Sequence, residues 1–487
     1  MERRIKKATK MKHSKSLLVG IITITMVALY SCVPTREIRD ENVTVPVVYQ
    51  NQSSDTTNTG LVEWRSFFKD PNLIALIDSA LVKNQELNIM LQQVDMAQNR
   101  IQAKKGEYLP FVNLQAGAEV EKVGEYTRNG ALEKNLEVKE GEAFPEPLTN
   151  YRVGAFATWE IDVWKKLRNE KKAAVYEYLS SVEGKNFMVT HLVAEIADSY
   201  YELMALDNQM AIIDQNLEIQ QNALRMVKLQ KQAARATELA VKRFQAEVMK
   251  NQSHKYEIQQ EIVEAENRLN FLLGRTPQHI QRASDGFIDT PIDTIYAGIP
   301  SQLLRNRPDI RNAEYELAAA KLDTKAAKAN FYPQFTIKAG LGLEAFDTKY
   351  LTTTPESVLY SAIGDMVAPL INRNAIKAQY KNATARQLQA VFEYEKAILN
   401  GYIEVANQLS NIDNLKKSYE LKNGQVQALT ESIDLSTRLF QSARVEYIEV
   451  LLAQREALES RMELVETKKD QLLAQVNMYR ALGGGWN

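Results

Sequence analysis

Glu195 and Glu404, Ala197 and Ala406, Ala234-Arg235 and Ala443-Arg444, Val241 and Val450, Glu247 and Glu456, and Leu273-Gly274 and Leu482-Gly483 are identical residues 209 positions apart. That register holds from Leu167/Ile376 to Gly274/Gly483, so neither stretch carries a net insertion relative to the other. Earlier in the chain, AKKGEYLPFVNLQAGAEVE at 103–121 lines up with AAKANFYPQFTIKAGLGLE at 326–344, an offset of 223. The shift of 14 falls in the loop between paired strands. The chain is a duplication, so whatever one half folds into must occur twice and pack against its copy.

Each half has one plan: a helix, an aromatic-Pro step, alternating segments, then a very long helical stretch. Asp70-Pro71 reads as an N-cap followed by proline at the first helical position, opening a helix that continues to about Gly106. In 112–120 the residues Val112, Leu114, Ala116, Ala118 and Val120 share one face, and the period of two predicts a strand. Tyr151–Val163 alternates likewise, with Phe156 breaking the pattern; 335–345 repeats it, and 358–370 does so less cleanly. From Lys165 to Gly274, and again from Asn374 to Leu482, there is no proline. The heptad-like apolar spacing loses phase at QAARATELAV and QSARVEYIEV, in the centres of these stretches, which makes both turn candidates. The arms before them, 165–233 and 374–442, would each be about 100 Å long at 1.5 Å per residue. Helices of that length have no globular core to bury them and must pack as coiled coils.

The N-terminus is a different kind of segment. A basic start precedes the apolar run Leu17–Tyr30, which is too short for a transmembrane helix, and the only cysteine, Cys32, follows. Leu29-Tyr30-Ser31-Cys32 resembles the bacterial lipobox, in which the thiol receives a diacylglycerol; a short anchor helix with an incidental cysteine is the alternative. One cysteine excludes an internal disulfide. Without residues 1–31 the chain holds 53 basic and 60 acidic residues, which argues against a general nucleic-acid binder. The boundaries read as a signal at 1–31, an extended lipid-anchored tether at 32–60, a first repeat at 61–280, a linker at 281–300 and a second repeat at 301–487.

No other stretch is long and apolar enough for a membrane helix, so a membrane crossing would have to use the strands. Four strands cannot close a barrel, and an open edge in lipid leaves backbone groups unsatisfied. Two chains would give a filled eight-stranded barrel, three a twelve-stranded one with room for an aqueous lumen. A one-sided soluble sheet gives the same alternation, so the pattern alone leaves both open.

WRSFFKDPNLIALIDSALVKNQEL, WEIDVWKKLR, VAEIADSYYEL, LLGRTP, IPSQLLRNRPDIRNAE and the terminal VNMYRALGGGW resemble TolC-type outer-membrane efflux proteins in family order, from about residue 64 to the C-terminus. With the lipobox they resemble the lipoprotein branch called NodT-type. The resemblance implies a mixed α+β, mostly α membrane protein: a duplicated helix, two strands and long helical hairpin. Four strands per chain would join a trimeric twelve-stranded outer-membrane β-barrel, continued by a periplasmic α-helical coiled-coil barrel. A belt at mid-height would come from about 275–305 and 484–487. The implied function is the exit duct of a tripartite efflux system, a homotrimer working with a periplasmic membrane-fusion adaptor and an inner-membrane pump, in contact with outer-membrane lipids. A type I secretion duct for polypeptides, or a structural coiled-coil lipoprotein without transport, are the alternatives.

The resemblance places Ala234, Arg235, Ala443 and Arg444 at the periplasmic tip, facing the adaptor, where relatives commonly have glycine at each turn. Positions that carry polar locking partners in the family are Leu239, Ala240, Phe440 and Val445 here. Glu449 would supply a ring of three acids at a lumen gate; the position acidic in some relatives is Leu452, so the ring would be single. Trp159 and Trp164, with Tyr108, Phe111, Phe331 and Tyr332 at the strand entrances, suit either a membrane boundary or an inter-helix core. The four histidines are scattered, and no HExxH, GxSxG, P-loop or GxGxxG pattern is present. No enzyme site, metal site or cofactor is expected beyond the lipid on Cys32.

Overall fold

The computed structural model describes residues 39–49, 55–442 and 444–486. The signal, Cys32 and Ala443 lie outside the described residues. The main elements are α1 (Pro71–Lys83), α2 (Gln85–Tyr108), β1 (Phe111–Glu121), β2 (Leu148–Ile161), α3 (Lys166–Gln232), α4 (Glu238–Leu272), α5 (Pro308–Ala329), β3 (Gln334–Ala345), β4 (Val358–Val367), α6 (Asn374–Gln441) and α7 (Tyr447–Ala481). The long arms α3 and α6 are 67 and 68 residues, within two residues of the length read from the sequence. Among the described residues no helix is long and apolar enough to cross a membrane.

The chain forms two compact units. One, built from 96–178 and 316–391, holds an antiparallel sheet in the order β1-β2-β3-β4. Its central pair meets at Gly154 opposite Gly342. The approach is so close that a Cβ on Gly154 would stand 2.7 Å from the Leu341 carbonyl oxygen. Phe156, which interrupts the alternation, is explained by Gly340: the ring covers that glycine, where a Cβ would meet it at 2.7 Å. Within one chain β1 and β4 remain open edges, which lipid does not tolerate. Beneath the strands the aromatic cluster divides. Phe331 is buried edge-on against Tyr380 as plain core. Trp164 stacks on Tyr332 at 4.7 Å and donates to the Pro333 carbonyl, while Phe111 stays exposed.

Between β1 and β2 the loop 124–148 carries structure of its own: Thr127 caps a helix, Arg128–Asn135, by accepting from the Gly130 N–H, and a small hairpin pairs Glu137–Lys139 with Glu142–Ala143. One local reading is corrected here. The helix expected to run from 71 to 106 breaks at Asn84, whose backbone is extended.

The second unit comprises 41–95, 179–315 and 392–487, and its core runs along α1, α3, α4 and α7. Asp70 caps α1 by accepting from the Asn72 N–H at 2.8 Å, as its Asp-Pro signature predicts. The part of the tether that is described is docked, not free: Tyr49 is buried and stacks on Tyr402 at 5.5 Å, and the Asn42 N–H donates to Glu395. The terminal glycines fit one aromatic ring. Tyr479 lies on Phe67 at 4.0 Å, its hydroxyl donates to the Val62 carbonyl, and a Cβ on Gly484 would stand 2.3 Å from the ring.

Candidate functional site at the turns and root joints of the hairpins

At the first turn Ala234 takes a left-handed conformation, φ 56°, the position glycine favours. The Arg235 N–H donates to the Gln230 carbonyl at 2.8 Å, and at the second turn the Arg444 N–H donates to the Leu439 carbonyl at 2.9 Å. Both arms therefore end on the same six-to-one bond. Thr237 then caps α4, accepting from the Ala240 N–H at 3.2 Å. Its counterpart Glu446 makes no side-chain cap bond.

The two hairpin ends pack on each other through Val227, Ala240, Val241, Phe244 and Leu451, with Tyr447 and Ile448 alongside. Ala240, expected at a position of locking partners, is fully buried in this cluster. Leu239 is exposed, Phe440, Val445 and Leu452 are half-buried, and Arg235, Arg444 and Glu449 are exposed. Glu449 sits in the first turn of α7, where its charge faces the positive helix end. Reading the sequence for charged rings missed Thr237 and the Phe244–Tyr447 contact, whose rings lie 6.4 Å apart. The signal for Thr237 was present as a threonine just before an apolar-periodic helix.

Each return arm closes on the helix that leads its half. In the first half Asn84 Nδ2 donates to the carbonyl of Leu272, the last residue of α4, at 2.9 Å, while its Oδ1 accepts from the Leu87 N–H at 2.9 Å. Gly274 follows at φ 60°, where a Cβ would stand 2.4 Å from the Lys83 carbonyl oxygen. In the second half Arg307 Nη1 donates to the carbonyl of Ala481, the last residue of α7, at 2.8 Å. Gly483 follows at φ 87°, with the Asn306 carbonyl oxygen 2.5 Å from a Cβ built there. Asn84 and Arg307 are 223 positions apart, Leu272 and Ala481 209, so one backbone bond is made twice by duplicated positions.

The chemistry around the two bonds differs. Arg307 is buried, and its Nε and Nη2 reach the two Asp309 oxygens at 3.0 and 2.7 Å while Nη1 also reaches Glu404 at 2.7 Å. Gly401 makes the room: a Cβ there would stand 3.1 Å from Arg307 Nε. Leu192, buried, occupies the matching position of the first half. Among the described residues no group of three or more His, Cys, Asp or Glu side chains could hold a metal ion.

A family profile described as outer membrane efflux protein matches residues 76–275 and 299–484, the two halves in turn. The pyoverdine export outer membrane protein OpmQ of Pseudomonas aeruginosa is 28% identical over 87% of each chain. The probable outer membrane lipoprotein SilC of Salmonella typhimurium is 27% identical over 87% of this chain and 88% of its own. A crystal structure of a membrane protein from Pseudomonas aeruginosa superposes with a TM-score of 0.83 at 24% identity, covering 93% of this chain and 98% of that one.

Proposed function

The chain belongs to the outer membrane efflux protein family, and on that premise we propose that three copies close its open sheets into a single duct. It is an outer-membrane efflux protein, an exit duct whose long helices lie on the periplasmic side. What carries the trimer is the pairing of a four-stranded sheet left open at both edges with two arms of 67 and 68 residues. Twelve strands satisfy every edge and leave a lumen, whereas eight would be filled by side chains. Arms of equal reach then end in one plane. A periplasmic adaptor meets Arg235 and Arg444 there, with Ala234 and Ala443 setting how closely its helices approach, and an inner-membrane pump drives cargo into the duct. The chain conducts and performs no catalysis.

Cys32 carries the N-terminal lipid, in keeping with the lipoprotein name of the SilC relative. Cys32→Ser should abolish labelling by a fatty-acid probe while the barrel holds the protein in the membrane; labelling that persists refutes the anchor. Glu449 contributes three carboxylates to the narrow tip, where close like charges attract cations, and Phe440, Val445, Leu239 and Leu452 close it by apolar packing.

Purified protein in planar bilayers tests the duct. Inserted trimers should show discrete conductance steps, Glu449→Gln should weaken cation preference, and Leu452→Asp should raise conductance by adding a second repelling ring. A monodisperse monomer in mild detergent would sink the trimer. Inserted trimers that pass no current in either the parent or the Leu452→Asp protein would sink conduction.

A further inference from the structure

Beside the second root joint lies a cavity of about 140 Å³, whose polar walls include Thr190, His191, Arg307, Asp309, Asn400, Glu404 and Arg480. Most of these groups are already spoken for. Arg307 spends its donors on Asp309, Glu404 and the Ala481 carbonyl, and the second oxygen of Glu404 accepts from Asn400 at 3.0 Å. Arg480 is different. Its half-buried guanidinium makes no hydrogen bond or ion pair among the described residues. Thr190 is 3% exposed, and its Oγ1 is buried without a partner. A helical threonine hydroxyl ordinarily bonds a carbonyl one turn back, so one left open on the wall of a cavity offers a donor to whatever occupies that cavity. The duplicate half has no such site: Phe271 stands at the position matching Arg480 and is exposed.

We propose that this cavity binds one small monovalent anion, a halide or a one-carbon carboxylate, held by Arg480 and the Thr190 hydroxyl with His191 as a proton-linked third donor. The volume sets the size. A water molecule claims roughly 30 Å³, so the space is worth about four to five waters: it takes a small ion with a few waters around it, and no ligand of more than about ten heavy atoms. Charge sets the linkage. Two guanidinium groups and two carboxylates in the wall cancel while His191 is neutral, so a bound anion leaves one negative charge that protonation of His191 offsets.

The charged groups at this point are His191 on α3, Arg307 and Asp309 at the start of α5, Glu404 on α6 and Arg480 on α7; Asp198, further along α3 beside Glu195, lies outside the cavity but interacts with Arg480. Burial first, and Arg480 next, hold His191 below its usual range, so it is neutral at pH 7. An anion beside it opposes that depression. Burial pushes Asp198 up to about 6, with Arg480 opposing, so acidification also removes a negative charge near Arg480. Both effects make the anion bind more tightly as pH falls from 8 towards 5.5.

The test compares sodium bromide with sodium gluconate, an anion too large for the cavity, at equal ionic strength on the purified full-length protein. Bromide should raise the thermal midpoint saturably, and more at pH 6 than at pH 8. Arg480→Gln should abolish that difference, and Thr190→Val should raise the half-saturating bromide concentration about tenfold, the loss expected for one hydrogen bond to an ion. Bromide-soaked crystals should show an anomalous peak between Arg480 and Thr190. No bromide-specific shift, a shift that survives Arg480→Gln, or density for water alone would overturn the site. If Arg480→Gln does not assemble, the anomalous map of the parent and of Thr190→Val decides the matter by itself.

Discussion

The two root joints perform one task with different chemistry. The first uses a neutral amide: Asn84 holds the end of α4, and a buried Leu192 stands where the second half has Gly401. The second uses a buried guanidinium with two carboxylates, and glycine replaces the leucine to seat it. A neutral lock incurs little desolvation, whereas the ionic lock buries charge that only complete pairing offsets. The return is reach. Asn84 ties α4 to the break between α1 and α2, while Arg307 ties the end of α7 to α5 through Asp309 and to α6 through Glu404. Tyr49 of the tether stacks beside it, on Tyr402. Duplication preserved the backbone bond and left the side chain that makes it free to diverge.

Breaking each lock should expose the difference. Arg307→Met strands two carboxylates and should cost about 3–5 kcal/mol, the range for removing one partner of a buried ion pair. Asn84→Ala removes two neutral hydrogen bonds and should cost about 1–3 kcal/mol. Thermal unfolding of the detergent-solubilised protein reads both; equal losses would mean that the charges at the second joint contribute nothing beyond the shared carbonyl bond. A sharper version exchanges the pair. Gly401→Leu alone should destabilise by about 1–3 kcal/mol through overpacking, since even a Cβ crowds the guanidinium. Arg307→Asn with Gly401→Leu rebuilds the first joint in the second half and should be less damaging than the sum of the single changes. Strict additivity would show that the two positions do not act as a unit.

The same contrast explains what was legible from residues alone. The long arms, the four strands and the turns rest on local periodicity and on proline-free length, and they fall within a few residues of their expected bounds. Gly274 and Gly483 stood out because both halves need the same left-handed turn and kept the same residue. Asn84 and Arg307 share a task but no chemistry, so matching by identity passes over them, and Asn84 lies inside a stretch whose apolar spacing reads as continuous helix. At the turns, a family position could be assigned to Ala240 but its burial could not. The cluster of Phe244 and Leu451 that encloses it joins residues from opposite halves. The anion cavity was equally invisible, because Thr190, Arg307 and Arg480 converge only once three segments are packed.

The smallest expected effect lies at the far ends of the hairpins, where the two halves again share a bond and differ in a cap. Both turns close through the six-to-one hydrogen bond, Arg235 to Gln230 and Arg444 to Leu439. Thr237 then satisfies the Ala240 N–H, whereas Glu446 leaves its helix without a side-chain cap. Thr237→Ala should therefore loosen the first turn by about 1 kcal/mol, and Glu446→Thr should tighten the second by a similar amount. Ala234→Gly tests the strain separately. An alanine at φ 56° carries a cost of roughly 1 kcal/mol that glycine avoids, offset in part by glycine's greater freedom when unfolded, so a gain of a few tenths is expected. Hydrogen exchange at 233–241 and 444–450 reads the turns directly, without requiring the whole protein to unfold. Exchange should speed up only at the first turn in Thr237→Ala and slow only at the second in Glu446→Thr. If either change alters both turns equally, the apolar cluster of Phe244, Leu451 and Tyr447 holds the two ends as one body, and the caps do not set their stability.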